Sequence, residues 1–192
     1  MLSKSNQHPT LTDLRTMCLI LQVVVGSSSL SQNGELYSVS DIQVHQQPFQ
    51  NNLAVLRMYP VREAATYILL QKKSFATNYN SILSGWGGIN KTLCNHLQFL
   101  AVEWLDSVTC SNKYNLELKE QHHCGVINGN EGVCVGDDGS PLITYNFMAQ
   151  IMRLIGIMNY SDMCTKQYPI LFTNVSLYVS WIRSKCNNCV LF

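Results

Sequence analysis

The sequence predicts an all-β chain closed by one C-terminal α-helix, and three observations carry that expectation. Short apolar or alternating runs recur along the chain at regular spacing. The links between them are rich in Gly, Ser and Asn, which favour tight turns. Only the last segment keeps a 3.6-residue apolar period throughout.

The elements follow in order. VVVGSSSL (residues 23–30) is β-branched and stops at glycine and serine. LYSVSDIQVH (36–45) alternates, with Ile42 and Val44 on one face and Gln43 and His45 on the other. NLAVLRM (52–58) is a short apolar strand, and SILSGWGG (81–88) runs into a glycine cluster. HLQFLAVEWL (96–105) is long and largely apolar, and PLITY (141–145) and QIMRLIGIMN (150–159) complete the set. Many short strands joined by turns imply a barrel or a sandwich. In NVSLYVSWIRSKC (174–186), Val175, Tyr178, Val179 and Ile182 share one helical face. Asn174 is placed to cap that helix, and Arg183 and Lys185 occupy its last turn, where the helix dipole favours cations. QKKSFATNYN (71–80) is the least strand-like stretch and the expected link between domains.

At 192 residues the chain can build one large or two small cores. Charged residues make up 13% and the net charge is +1, so neither disorder nor a nucleic-acid partner is expected. No apolar run reaches membrane-spanning length. Eight cysteines without paired CxxC knuckles point to structural disulfides in an oxidising compartment rather than to a metal site. Asn90-Lys-Thr, Asn159-Tyr-Ser and Asn174-Val-Ser are glycosylation sequons consistent with that compartment. Residues 1–16 lack the apolar core of a secretory signal; MCLILQVVVG (17–26) has one only if Met17 is the start.

The chemistry concentrates at GDDGSP (136–141), a turn with two adjacent carboxylates. Its acids lack the alternate spacing of a calcium loop, so no metal or cofactor is expected there. His122, His123 and Cys124 invite a zinc reading, against which the two histidines are expected to be solvated.

Taken together, VVVGSSSLSQNGELYSVSDIQVH, NNLAVLRM, LSGWGGI, CVGDDGSPLI and LIGIMNYSDMCTKQYPILFTNVSLYVSWI resemble, in order, segments of the trypsin-like serine proteases. The resemblance covers roughly residues 20–185. It implies a double β-barrel with an incomplete first barrel, a complete second barrel and the C-terminal helix. The implied division is 1–16 as an unassigned tail, 17–77 as the partial first barrel and 78–192 as the second. A half barrel leaves two open edges, so either a partner covers them or the N-terminal part stays loose and aggregation-prone.

The family's chemistry requires a hydroxyl nucleophile, an imidazole base, an orienting carboxylate and an oxyanion hole. The resemblance puts Asp138 at the nucleophile position, Asn52 at the orienting carboxylate and Gly136 at the oxyanion hole. The histidine position falls on Met17 by a weaker local alignment through Cys18. The Gly136 N–H is expected to serve the Asp138 carboxylate. Ser140 is no substitute nucleophile, because no base is expected within reach. Specificity-pocket positions fall on Gly132, Asn159, Ser161 and Ile170, with Ile170 expected to fill the pocket. Asp137 matches the acid that pairs with a new N-terminus on activation, and no such start is found, so a zymogen-like pocket is expected. The implied disulfides are Cys110–Cys124 and Cys134–Cys164; Cys18, Cys94, Cys186 and Cys189 have no assigned partner. The reading is a degenerate protease homologue, secreted by resemblance, that acts by binding if it is functional, with an unknown protein as the kind of partner it would bind. The alternatives are a serine endopeptidase or a truncated product without function.

Overall fold

The computed structural model describes residues 21–32, 34–45, 52–59, 67–73, 80–88, 92–115, 117–118, 120–128, 132–134, 136–146, 150–160 and 169–186. Strands β1 (Gln22–Val25), β2 (Glu35–Val44) and β3 (Ala54–Tyr59) form an antiparallel sheet in that order. Strand alternation decides which side is apolar: Tyr37 and Val39 are buried, while Ser38 and Ser40 between them are exposed. The sequence expectation of two distinct faces fails further along β2. Its register against β3 shifts between Val39 and Asp41, and residues 41–44 are all half-buried. On the outer face Val24 pairs with Leu36, and both are exposed.

The second sheet contains β4 (Leu69–Leu70), β5 (Ser81–Gly85), β6 (Gln98–Trp104), β7 (His122–Val126), β8 (Pro141–Asn146), β9 (Ile151–Tyr160) and β10 (Ile170–Asn174). Its order is β10-β7-β6-β5-β8-β9-β4, and an added β10–β9 pairing closes a barrel. Closure removes the edges of those strands and leaves β4 outside, in parallel register with β9. Leu69 and Leu70 fall within residues 17–77 yet pair with this second sheet. Only residues 71–73 and 80 of the expected link are described.

Leu83, Val102, Val133, Leu142, Ile155, Met158, Ile170 and Phe172 form the barrel core. Each of these side chains removes roughly 1.5–3 kcal/mol of apolar surface from water. Helix α1 (Ser107–Tyr114) brackets one end. Asp106 caps it, accepting from the Thr109 N–H at 2.8 Å and the Thr109 hydroxyl at 2.6 Å. The hydroxyl bond, then the amide bond, holds its carboxyl below the usual carboxylate range. A disulfide joins Cys110 on α1 to Cys124 on β7 and packs with Leu171.

The C-terminal segment is a 3-10 turn (Val175–Tyr178) leading into α2 (Val179–Lys185). Asn174 caps it as expected, accepting from the Ser176 N–H at 3.1 Å. Strands β7 and β10 and helix α1 were not legible as elements. Their apolar patterns are too short, and His122 and His123 disguise β7.

Among the described residues, hydrogen bonds and ring contacts join the two sheets. Leu30 donates its N–H to the Asn95 carbonyl at 2.8 Å, and Leu97 donates to the Ser28 carbonyl at 2.8 Å. The Asn95 side-chain oxygen accepts from the Ser29 hydroxyl at 3.2 Å and the Ser31 N–H at 3.0 Å. At the far end of β2, the His45 ring stands edge-on to Tyr178 and Trp181, at 5.1 and 4.9 Å between centroids.

Candidate active-site region

The turn at 136–140 is built by its own backbone and then fastened to the barrel. Asp137 donates its N–H to the Cys134 carbonyl at 3.1 Å, and Ser140 donates to the Asp137 carbonyl at 2.9 Å. Gly139 donates to the Met158 carbonyl at 3.0 Å, and Met158 returns a bond to Ser140 at 2.9 Å. The turn is therefore pinned beside Asn159 on β9. It also needs glycine: Gly136 has φ +102°, a conformation that penalises any side chain.

Within this turn the two acids have opposite environments. Asp137 is 4% exposed. Its Oδ1 accepts from the Gly87 N–H at 2.8 Å and its Oδ2 from the Cys134 N–H at 2.9 Å. The carboxylate is so close to Gly87 that a Cβ there would collide with it. This is the use of the SGWG segment: its backbone approaches a buried acid. Two backbone donors satisfy the Asp137 oxygens, and residues 1–20, on which an amino-terminal partner would bear, lie outside the described residues. Among the described residues no cation pairs with Asp137.

Asp138 points outward and is exposed. Burial of its inner side, followed by the negative charge of Asp137, raises its carboxyl above the usual range. The expected bond from the Gly136 N–H to Asp138 is not formed among the described residues. The nearby amide donors turn to Asp137 instead, because that acid is the buried one and loses most if left unpaired. Gly136 lies under Leu93, whose Cδ2 would collide with a Cβ there. Neither Asp138 nor Ser140 receives a hydrogen bond from an imidazole among the described residues.

Asn52 precedes β3 in the left-handed region, with φ +34°, which asparagine tolerates better than most residues. Its Nδ2 donates to the Asn159 Oδ1 at 2.8 Å. The fold thus brings together two positions 107 residues apart in sequence. Gly132 is exposed, beside buried Val133. Ile170 is 4% exposed and packs in the barrel core with Val133 and Met158. Met17, Cys18, Ser161, Cys164 and Cys189 lie outside the described residues.

The Cys110–Cys124 pairing is present. Cys134 and Cys186 are also disulfide-bonded, whereas Cys94 is a free thiol beside Gly88. The two histidines expected to be solvated are instead half-buried in β7. The His123 ring stands edge-on to Trp104 at 4.7 Å. Burial first, and then the charge of His122, lowers the His123 pKa to about 4 against an opposing bond from Asn174. Among the described residues, no three His, Cys, Asp or Glu side chains converge as they would around a metal ion. No described helix is long and apolar enough to cross a membrane.

A double-sheet fold with this turn at its centre defines a class, and comparison with known proteins identifies it. The trypsin family's sequence profile matches residues 18–182. The chain belongs to the trypsin family. Trypsin from Sarcophaga bullata is 28% identical over 178 residues, covering 85% of this chain and 67% of that protein. Trypsin eta of Drosophila melanogaster is 27% identical, covering 85% and 66%. Chymotrypsin-like elastase family member 1 of Bos taurus is 28% identical, covering 86% and 70%. The chain thus spans about two thirds of the length of these relatives.

Proposed function

We propose that this chain is a catalytically inactive member of the trypsin family, extracellular, and acting by binding a protein partner. The observation that carries the reading is Asp138. A carboxylate at the family's nucleophile position has no hydroxyl to acylate, and it puts negative charge where an oxyanion must form. Asn52 adds to this. Its amide can hydrogen-bond an imidazole but tends to hold the wrong tautomer, and it cannot balance an imidazolium charge. Met17 stands at the histidine position. Losing such machinery as a unit costs on the order of 10⁶ in turnover.

The buried Asp137, the pinned turn and the barrel core support a scaffold retained without its chemistry. The disulfides support an oxidising, extracellular setting. Family membership alone favours the competing reading, a serine endopeptidase. The two are separated by incubating the purified chain with a peptide library and reading products by mass spectrometry. The inactive reading expects no cleavage above buffer, and sequence-selective cleavage that scales with the chain's concentration would overturn it.

A further inference from the structure

Asn159 and Asn174 both head intact glycosylation sequons, but the fold treats their carboxamides in opposite ways. We propose that Asn159 is an N-glycan acceptor whose sugar stands beside Asn52 in the degenerate active-site cleft, and that Asn174 carries no glycan in the folded protein. The first half rests on the extracellular reading above.

The transfer bonds the carboxamide nitrogen to the anomeric carbon of a lipid-pyrophosphate-linked oligosaccharide. That carbon's bond to pyrophosphate breaks, the amide gives up one proton, and the lipid pyrophosphate leaves. A glycan therefore occupies Nδ2 and leaves Oδ1 intact. At Asn159 this division suits the structure. Oδ1 is the atom that accepts from Asn52 at 2.8 Å, and no described residue accepts from Nδ2. The sugar can be added without breaking the contact between the two sheets, and it would cover the surface next to the Asp138 turn.

At Asn174 the same chemistry conflicts with the fold. The residue is 1% exposed, and its Nδ2 donates to the Glu120 carbonyl at 3.0 Å. Its Oδ1 accepts from the Ser176 N–H at 3.1 Å and the Ser176 hydroxyl at 2.7 Å. The sequon's own hydroxyl is thus tied into the cap. A glycan on that nitrogen would have to displace the Glu120 bond and stand between β10 and the 120–122 segment, and no bulky, hydrated group fits there. Transfer to Asn174 before folding would leave a chain unable to close its barrel.

The test directs the full chain into the secretory pathway of cultured eukaryotic cells behind a cleavable signal, so that its natural location does not decide the result. Site occupancy is read by deglycosylation in heavy-oxygen water and peptide mass spectrometry, on the whole translocated pool and on the medium. The expected result is a glycan at Asn159 in both. It disappears with Asn159→Gln, with loss of one core glycan in mass, and Asn174 is unmodified in the medium. An unmodified Asn159 in the translocated pool, or a glycan at Asn174 in secreted chain, overturns the proposal. If little chain reaches the medium, Ser176→Ala removes only the Asn174 sequon. Loss of the hydroxyl bond alone would lower secretion, so where Asn174 is occupied in the translocated pool a rise is expected from removing the glycan, and no rise there overturns that half.

Discussion

Asp138 holds its carboxylate one residue from a second acid, and the two share a turn while differing in burial. Because the Asp138 pKa is raised on folding, the folded state binds its proton more tightly than the unfolded chain does. The stability that proton contributes is complete below the unfolded value of 3.8 and is lost as pH rises through the folded value. Asp138→Asn is therefore expected to raise the urea midpoint at neutral pH, with the gain disappearing in acid. His123 works in the other sense. Its folded pKa of about 4 lies below the ordinary histidine value of 6.5, so between the two the unfolded state binds more protons. Stability is full above 6.5 and falls as pH drops toward 4, by up to about 3 kcal/mol. His123→Phe keeps an aromatic edge against Trp104, and its urea midpoint is expected to change less across that window.

At the scale of elements, the Cys110–Cys124 bridge fastens α1 to β7, and the short helix needs that support. The sequence separation of 14 gives a closed loop whose bridge is worth about 3 kcal/mol. The double variant Cys110→Ser/Cys124→Ser is expected to lose that amount in denaturant unfolding, with the barrel strands still formed by circular dichroism. These elements also show what the sequence could and could not reveal. Long alternating or apolar runs gave β2, β5, β6, β8 and β9, and the periodic C-terminal segment gave α2, although Asn174 caps the 3-10 turn that leads into it rather than α2 itself. Strand β7 hid because it reads His-His-Cys-Gly-Val, with one aliphatic side chain, and its cover comes from Trp104 and Phe172 on the two strands that flank it. Helix α1 carries little apolar periodicity, although Asp106 three residues before Thr109 was a readable capping signal. The turn at 136–140 was legible as a unit. The partners of its acids were not: Gly87 is 50 residues from Asp137, and no local pattern encodes that approach.

For the whole molecule, the described contacts between the first sheet and the rest include hydrogen bonds at residues 28–31 and at Asn52 and the ring contacts of His45. Asn95 alone meets Ser29, Leu30 and Ser31, and Asn52 reaches Asn159 from the other side. Exposed or half-exposed hydrogen bonds of this kind contribute roughly 0.5–1.5 kcal/mol each. Asn95→Ala is expected to speed amide exchange across β1–β3 while the core strands of the barrel keep their protection. Equal loss in both sheets would mean that they unfold as one unit. A scaffold built this way keeps the trypsin-family barrel closed around the 136–140 turn, and the proposed reading is that this turn carries an acid, Asp138, in place of a nucleophile. The measurement that tests this most directly is intact mass after incubating the chain with a fluorophosphonate that acylates activated serines. The account predicts an unmodified mass, because Asp138 offers no hydroxyl and Ser140 has no imidazole bonded to it among the described residues. A stoichiometric phosphonyl adduct, lost when the chain is unfolded before labelling, would contradict it.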